Sequence, residues 1–252
     1  MRLDEYLTVN GYFDSRTKAK QAIARGEVFI NDKQTVKPAL EVGNGEMLNV
    51  KIEQAENFVS LGGYKLSKAL KDFEFSVEGK TAADIGASTG GFTDCLIQRG
   101  AAKVFAVDLN DGLLHETLKL NDKVVQIVKN AKNLTKEDLT DIDLITADLS
   151  FISARRVLDI FYGLLPDNGF VILLIKPQFE MDERRNFKNG VIKDDKLRKT
   201  ACLNVYNTAI NAGFRAIKMT TAPINKDKNT EFLILLYKGD AKNESFENLY
   251  KF

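Results

Sequence analysis

The stretch Asp84-Ile85-Gly86-Ala87-Ser88-Thr89-Gly90-Gly91 closes an apolar run with a carboxylate and then crowds three glycines into a turn before a helical segment. In a strand-turn-helix unit the first glycine permits the sharp turn, and later ones let the backbone approach a ligand. A dinucleotide loop wants glycine at 86, 88 and 91, and Ser88 breaks that pattern. No Lys-Ser/Thr pair follows, which excludes a triphosphate loop. An anionic Asp84 repels a pyrophosphate but can pair with a cation such as the amino-acid part of S-adenosylmethionine. The next strand, "VFAVD", ends in Asp108, whose carboxylate can take both hydroxyls of a ribose. Each feature alone also fits a ligand-free turn; together they favour S-adenosylmethionine as cofactor.

Two more polar residues stand at the ends of apolar runs. Asp148 follows "DLITA" and can either serve chemistry or cap the helix expected near Ser150, a task Ser150 or Ser153 could also perform. Lys176 follows "VILLI" and precedes Pro177, at the strand rim where open α/β sheets place their ligands. The single histidine, His115, lies in a polar helical segment and reads as a surface residue. With no second histidine and no cysteine cluster, no metal site is expected.

These residues need elements to hold them. From Lys80 onward the short runs "TAADI", "AKVFAVDL", "VVQIV", "DLITADL" and "FVILLIK" alternate with helical patterns such as Val157, Ile160, Phe161 and Leu164. That alternation predicts a doubly wound α/β domain with a mostly parallel sheet. "FRAIKMTTAP" and "TEFLILLYK" have no helix between them, so an antiparallel hairpin should close the sheet. Residues 1–53 read as a separate α+β unit. Leu3, Tyr6 and Leu7 recur at helical spacing, Ser15 caps a second helix with Ala19, Ala22 and Ile23 inward, "EVFIND" ends in a turn-prone pair, and Leu48, Val50 and Ile52 alternate as a half-buried strand. Residues 54–63 suit a linker, leaving 64–252 as the larger domain.

Composition narrows the classes. A chain of 252 residues with 44% hydrophobic content can bury a real core, which disfavours disorder. The 36 Lys+Arg nearly cancel the 35 Asp+Glu, so a nucleic-acid surface must come from a local patch. Arg16, Lys18, Lys20 and Arg25 supply one, in a stretch without an acid. Cys95 and Cys202 lie in apolar helical patterns, as buried thiols of a reducing, cytoplasmic compartment. "MRLDEYL" lacks a signal-peptide layout and "FVILLI" is too short to span a bilayer, which speaks against secretion and membrane insertion.

The motifs "DIGASTGGFTDCLIQRGA", "AVDL", "TADLSFIS", "LIKPQFE" and "NTEFLILL", in this order, resemble the TlyA family, rRNA 2′-O-methyltransferases with an FtsJ-like Rossmann domain that are often called hemolysins. "RLDEYL", "SRTKAKQAI" and "GEVFIND" resemble the RNA-binding domain named after ribosomal protein S four. The resemblance implies a Lys-Asp-Lys-Glu tetrad at Lys65, Asp148, Lys176 and Glu231, with Lys176 as candidate base and cytidine as the target nucleotide. It implies cofactor contacts from Asp84, Gly86, Ser88, Gly90, Gly91, Phe92, Asp108, Leu109, Asn130, Ala131 and Asp148. RNA contacts would come from Arg2, Arg16, Lys18, Lys20 and Arg25, with rRNA or a ribosomal subunit as partner.

The chain departs from the family pattern at Leu61, where arginine is usual, in the tryptophan-free "NDGLLHETLK", in "MDERRNFKNG" and at Lys228. Two other readings stand beside the enzyme. One is a noncatalytic RNA-binding or ribosome-assembly factor that kept the fold; the other is a membrane-lysing protein, for which no long basic amphipathic stretch is visible.

Overall fold

The computed structural model describes the chain except residues 25–26, 44–46, 53–55, 182–189 and 224–227 and the side chain of Gln34. It divides into two units, Met1–Asn57 and Phe58–Phe252.

In the first unit, helices α1 (Leu3–Val9) and α2 (Arg16–Ala24) precede strands β1 (Val28–Ile30), β2 (Lys33–Thr35) and β3 (Val50–Ile52). The strands form an antiparallel sheet in the order β2-β1-β3. Asn31 and Asp32 join β1 to β2 with φ of 49° and 62°, the two positive values that a tight hairpin turn needs. Ser15 accepts the Lys18 N–H at 3.3 Å, as its expected capping role requires. Leu3, Leu7, Ala19, Ala22, Ile23 and Val28 form a small buried core. The expected strand from Leu48 is shorter than its alternation suggested: it starts at Val50, and Ile52 is exposed.

The second unit holds the larger sheet. Its strands are β4 (Thr81–Ile85), β5 (Lys103–Asp108), β6 (Val124–Val128), β7 (Leu144–Ala147), β8 (Phe170–Ile175), β9 (Arg215–Thr221) and β10 (Phe232–Tyr237). Its helices are α3 (Leu61–Phe73), α4 (Gly91–Gln98), α5 (Glu116–Lys119), α6 (Leu158–Leu164), α7 (Pro177–Glu180), α8 (Asp195–Asn211) and α9 (Phe246–Leu249), with 3-10 turns at Ala131–Asn133 and Ala154–Arg156. The strand order is β6-β5-β4-β7-β8-β10-β9, parallel from β6 to β8 and antiparallel through β10 and β9.

Side-chain alternation divides the apolar strands between two cores. Ala83, Ile85, Ile145, Ala147, Leu173, Ile175, Phe232 and Ile234 face one core, which includes Leu158 and Phe161 of α6 and Cys202 and Val205 of α8. Ala82, Leu144, Ile172, Leu174, Leu233 and Leu235 face the other, with Leu66 and Leu70 of α3 and Phe92 and Leu96 of α4. Burial on both faces explains why these strands are mostly apolar, Asp84 and Thr146 being the buried polar exceptions.

The stretch expected as a linker, residues 54–63, is divided differently. Phe58 is buried with Leu66 and Phe92, and Leu61 opens α3, so residues 58–63 belong to the larger unit, with Phe58 in its core. The sequence reading missed this because the polar and glycine-bearing composition hid a helix start. Among the described residues, no helix is long and apolar enough to cross a membrane. Within the same limit, no cluster of three or more His, Cys, Asp or Glu could hold a metal ion.

Candidate active site

The sheet order gathers the strand ends that carry the polar residues. β4, β7 and β8 run in parallel, and Ile85 pairs with Ala147, which pairs with Leu173, so Gly86, Asp148 and Lys176 emerge at one edge. β10 runs the other way and pairs Phe232 with Ile175, so Glu231, just before its first residue, reaches that same edge beside Lys176. Helix α3 contributes Lys65 from its first two turns, anchored by the buried Leu66, Ala69, Leu70 and Phe73 on its inner face.

The four side chains meet. Lys65 Nζ is 2.7 Å from Glu231 Oε2 and 3.8 Å from Asp148 Oδ2. Lys176 Nζ is 2.6 Å from Asp148 Oδ1 and donates to Ser150 Oγ at 2.7 Å. Asp148 thus stands between two lysines, while Glu231 contacts one of them. Lys176 is only 9% exposed, whereas Lys65, Asp148 and Glu231 are partly open to solvent. Capping by Asp148 is not found: Ser153 accepts the Arg155 N–H at the start of the 3-10 turn.

Two adjoining clefts lie against this cluster. The larger, of about 390 Å³, is lined by Gly86, Ser88, Asp108, Leu109, Asn130, Ala131 and Asp148, among others. The smaller, of about 170 Å³, includes Gly86, Ser88, Gly91, Phe92, Asp148 and Lys176 together with Ser60 and Gly62 of the stretch that opens α3. Gly86, Ser88, Asp148 and Ser150 line both, so one elongated ligand can run from one into the other. Gly86 has a φ of +84°, and a Cβ there would stand 2.7 Å from the Asp148 carbonyl oxygen. A Cβ on Gly91 would meet Ser60 Oγ at 2.3 Å. Only backbone fits at these two points, which keeps the clefts open and lets α3 close against the loop.

Asp108 Oδ2 accepts the Ser88 N–H at 2.9 Å and its Oδ1 accepts the Asn110 N–H at 3.0 Å, which fixes the carboxylate at the wall of the larger cleft. Its remaining lone pairs can accept from a vicinal diol. The clefts therefore fit an adenosine-like group beside Asp108 and a shorter polar arm toward Lys176.

Two expected cofactor contacts fall elsewhere. Asp84 is completely buried and lines neither cleft; its carboxyl takes hydroxyl hydrogen bonds from Thr93 at 2.7 Å and Thr146 at 3.2 Å. Burial pushes its pKa up to about 7, against the pull of the threonine hydrogen bonds. The group that was expected to pair with a cationic ligand is instead an internal brace between β4, α4 and β7. Gly90 also lines neither cleft, because it turns toward Leu114 and Leu118.

Other expectations on exposed or apolar residues resolve simply. His115 is an exposed helix cap that accepts the Thr117 N–H. Cys95 and Cys202 are both buried. In the first unit, Arg2 and Arg16 hydrogen-bond the buried carboxylate of Asp4, with Arg2 Nε at 3.0 Å and Arg16 Nη2 at 3.2 Å, and Lys20 Nζ lies 3.7 Å away. Lys18 instead pairs with Asp14 at 2.6 Å. The acid-free run of sequence is therefore not an unopposed positive patch, since Asp4 and Asp14 reach it through the fold. Arg25 lies outside the described residues, as do most of "MDERRNFKNG" and the residues just before Lys228.

Three residues at the site were missed as participants: Ser150, the Lys176 partner; Glu180, which is buried next to the 3-10 turn; and Phe151. Phe151 is 88% exposed at a φ of 68°, a conformation that costs a bulky residue roughly 1–3 kcal/mol. It lies 5.7 Å from Phe179 between ring centroids and borders both the larger cleft and a neighbouring one that includes Arg155, Arg156 and Phe179. The usable signal was an aromatic directly after Asp148-Leu-Ser, with no helical pattern to bury it.

Comparison with known proteins bears on these features. Residues 58–238 match the model of the FtsJ-like methyltransferase family. Hemolysin A of Brachyspira hyodysenteriae is 40% identical over 237 residues, which span 92% of this chain and 98% of that protein. The 16S/23S rRNA (cytidine-2′-O)-methyltransferase TlyA of Mycobacterium tuberculosis is 36% identical over 238 residues, 93% of this chain and 89% of that one. Among solved structures, a protein described as a hemolysin from Streptococcus thermophilus aligns with a TM-score of 0.72 at 33% identity, over 99% of this chain and 94% of that chain. An S-adenosylmethionine dependent methyltransferase from Mesorhizobium loti, at 16% identity and a TM-score of 0.53 over 71% of this chain and all of that one (100%), shares the fold. The match over most of the larger unit, together with relatives aligned nearly end to end, means that this chain belongs to the FtsJ-like methyltransferase family, in the group of the TlyA and hemolysin A proteins.

Proposed function

We infer that this protein is an S-adenosylmethionine-dependent RNA methyltransferase that modifies a ribose 2′-hydroxyl of ribosomal RNA, at cytidine. The observation that carries this reading is the convergence of Lys65, Asp148, Lys176 and Glu231 beside the paired clefts at one sheet edge. Relatives at 36% and 30% identity bear the name (cytidine-2′-O)-methyltransferase, which supports the choice of substrate.

Bound across the two clefts, S-adenosylmethionine supplies a methyl group on a positively charged sulfur. Asp108 is suited to hold the ribose of that cofactor, and Leu109, Asn130 and Ala131 to flank its base. Lys176 is the candidate base: an unprotonated Nζ would take the proton of the target hydroxyl as that oxygen bonds to the methyl carbon and the methyl–sulfur bond breaks, the sulfur leaving as a neutral thioether. Asp148 orients Lys176 and then stabilises the ammonium produced. Glu231 holds Lys65 at 2.7 Å, against 3.8 Å from Lys65 to Asp148, which leaves Asp148 chiefly to Lys176. Lys65 then serves as a fixed cation that steers the ribose and its phosphate.

Phe151 offers a stacking face for a base drawn out of folded RNA, since ribose chemistry on a structured RNA requires the nucleotide to be exposed. In the first unit, Arg2, Arg16 and Lys20 around Asp4 supply phosphate contacts, which give affinity and register without reading sequence.

The test is mass mapping of ribose methylation in rRNA from cells with and without the gene. A 2′-O-methylcytidine that disappears with the gene and returns with the wild-type chain, but not with Lys176→Ala, is the expected result. An rRNA methylation pattern unchanged by loss of the gene would overturn the substrate assignment.

A further inference from the structure

Two loops carry the reactive groups, and the contacts between them are concentrated at a third place as well as at the two described. The loop after β7 holds Asp148, Ser150 and Phe151 and ends in the 3-10 turn Ala154–Arg156; the segment after β8 holds Lys176 and continues directly into α7. Glu180, the last residue of α7, is 1% exposed. Its Oε2 accepts from Ser153 Oγ at 2.5 Å and its Oε1 from the Ala154 N–H at 2.7 Å. Arg155 Nε lies 3.6 Å from Oε2, and Arg155 Nη2 donates to the Glu180 carbonyl at 3.4 Å.

A buried carboxylate costs several kcal/mol unless its lone pairs are taken up, so this one persists only because the opposing loop is wrapped around it. Burial raises the Glu180 pKa, while Ser153, the Ala154 N–H and Arg155 oppose that rise. Every polar partner named comes from the β7 loop, and none of these contacts touches either cofactor-sized cleft directly.

We propose that Glu180 is a positioning residue for methyl transfer: it clamps the start of the 3-10 turn onto α7 and thereby sets where Ser150 and Phe151 stand relative to Lys176. This rests on the reading of Lys176 as the base. Lys176 and Glu180 lie one helical turn apart on a proline-started segment, so the clamp at one end fixes the angle from which Lys176 reaches Asp148 and Ser150 at the other. A shift of the loop by about 1 Å is enough to cost up to about 100-fold in rate when a proton and a methyl group must move in line.

The experiment is single-turnover methyl transfer to rRNA at saturating S-adenosylmethionine and RNA, with full-length variants checked by circular dichroism. Glu180→Ala is expected to lower the rate constant about 10–100-fold with the RNA concentration for half-maximal rate within about threefold. Glu180→Gln, whose amide oxygen still accepts the Ala154 N–H and whose NH2 can donate to the Ser153 hydroxyl oxygen in place of accepting from it, should stay within about threefold of wild type. In a Ser150→Ala background, Glu180→Ala should cost no more than about threefold, because both changes act through the same loop. Ser153→Ala, a mild change that removes one hydrogen bond, should slow transfer about 3–10-fold and decides the matter if Glu180→Ala does not fold. A folded Glu180→Ala or a Ser153→Ala at the wild-type rate overturns the proposal, as does equal loss in the Ala and Gln variants or a loss confined to RNA affinity. Absence of any transfer by the wild-type protein would instead overturn the methyltransferase reading itself.

Discussion

The hydroxyls of Thr93 and Thr146 close over the carboxyl of Asp84, and that enclosure changes what the residue can do. Its folded pKa, raised to about 7 from an ordinary 3.8, means the folded state holds the proton more tightly than the unfolded chain does. The sign follows: the contribution to stability is most favourable below the ordinary value and is lost as the pH rises through 4 to 7. Asp84→Asn, which cannot ionise, is therefore expected to be close to wild type in urea unfolding at pH 4 and more stable by up to about 4 kcal/mol at pH 8. A stability difference that does not change with pH would contradict the raised pKa. Sequence revealed the acid at the strand end but not its enclosure, because the two threonines lie 9 and 62 residues away along the chain. Phe151 illustrates the same limit: the backbone turn at φ 68° that puts its ring in solvent is not written in its residue type.

Elements carry the next level of the account. The central strands were legible because residues buried on both faces must be mostly apolar, so β7, β8 and β10 appear as runs with clear ends. The place of β10 between β8 and β9 was not, since nothing local tells a strand which neighbour it will join; yet that insertion brings Glu231 opposite Lys176. Gly86 joins element to site. Alanine there must leave the left-handed region or push the Asp148 carbonyl away, and Gly86→Ala is expected to cost roughly 1–3 kcal/mol of stability. Calorimetry should also show S-adenosylmethionine binding weakened by about tenfold or more, in keeping with a displaced cleft wall. Unchanged affinity would mean that the loop does not bound the cofactor. The start of α3 was misread as linker for a related reason: Ser60-Leu61-Gly62-Gly63 has the composition of a flexible joint, but its glycines serve close packing against Phe58 and Gly91.

For the molecule as a whole, a formal net charge of +1 leaves RNA affinity to local arrangement. Charges read along the chain overstated the first unit's patch, because the fold brings Asp4 to Arg2, Arg16 and Lys20 and pairs Asp14 with Lys18. The Arg2 hydrogen bond is the largest influence on Asp4, followed by burial and by Arg16, and it holds the carboxyl down at about 2. If these cations contact phosphate, Arg16→Ala should weaken rRNA binding at every salt concentration. It should also reduce the slope of log affinity against log salt by about 1, while S-adenosylmethionine binding stays unchanged. An unaltered slope in a filter-binding titration would place the RNA contacts elsewhere.

The central claim is that the amine of Lys176, set by Asp148 and Ser150, takes the proton from the ribose hydroxyl. Its most direct test is the single-turnover rate of methyl transfer by Lys176→Ala at saturating S-adenosylmethionine and rRNA, with cofactor binding measured on the same preparation. The account predicts a rate reduced about 10²–10⁴-fold with cofactor affinity within about threefold of wild type. A folded variant that transfers the methyl group at the wild-type rate would contradict it.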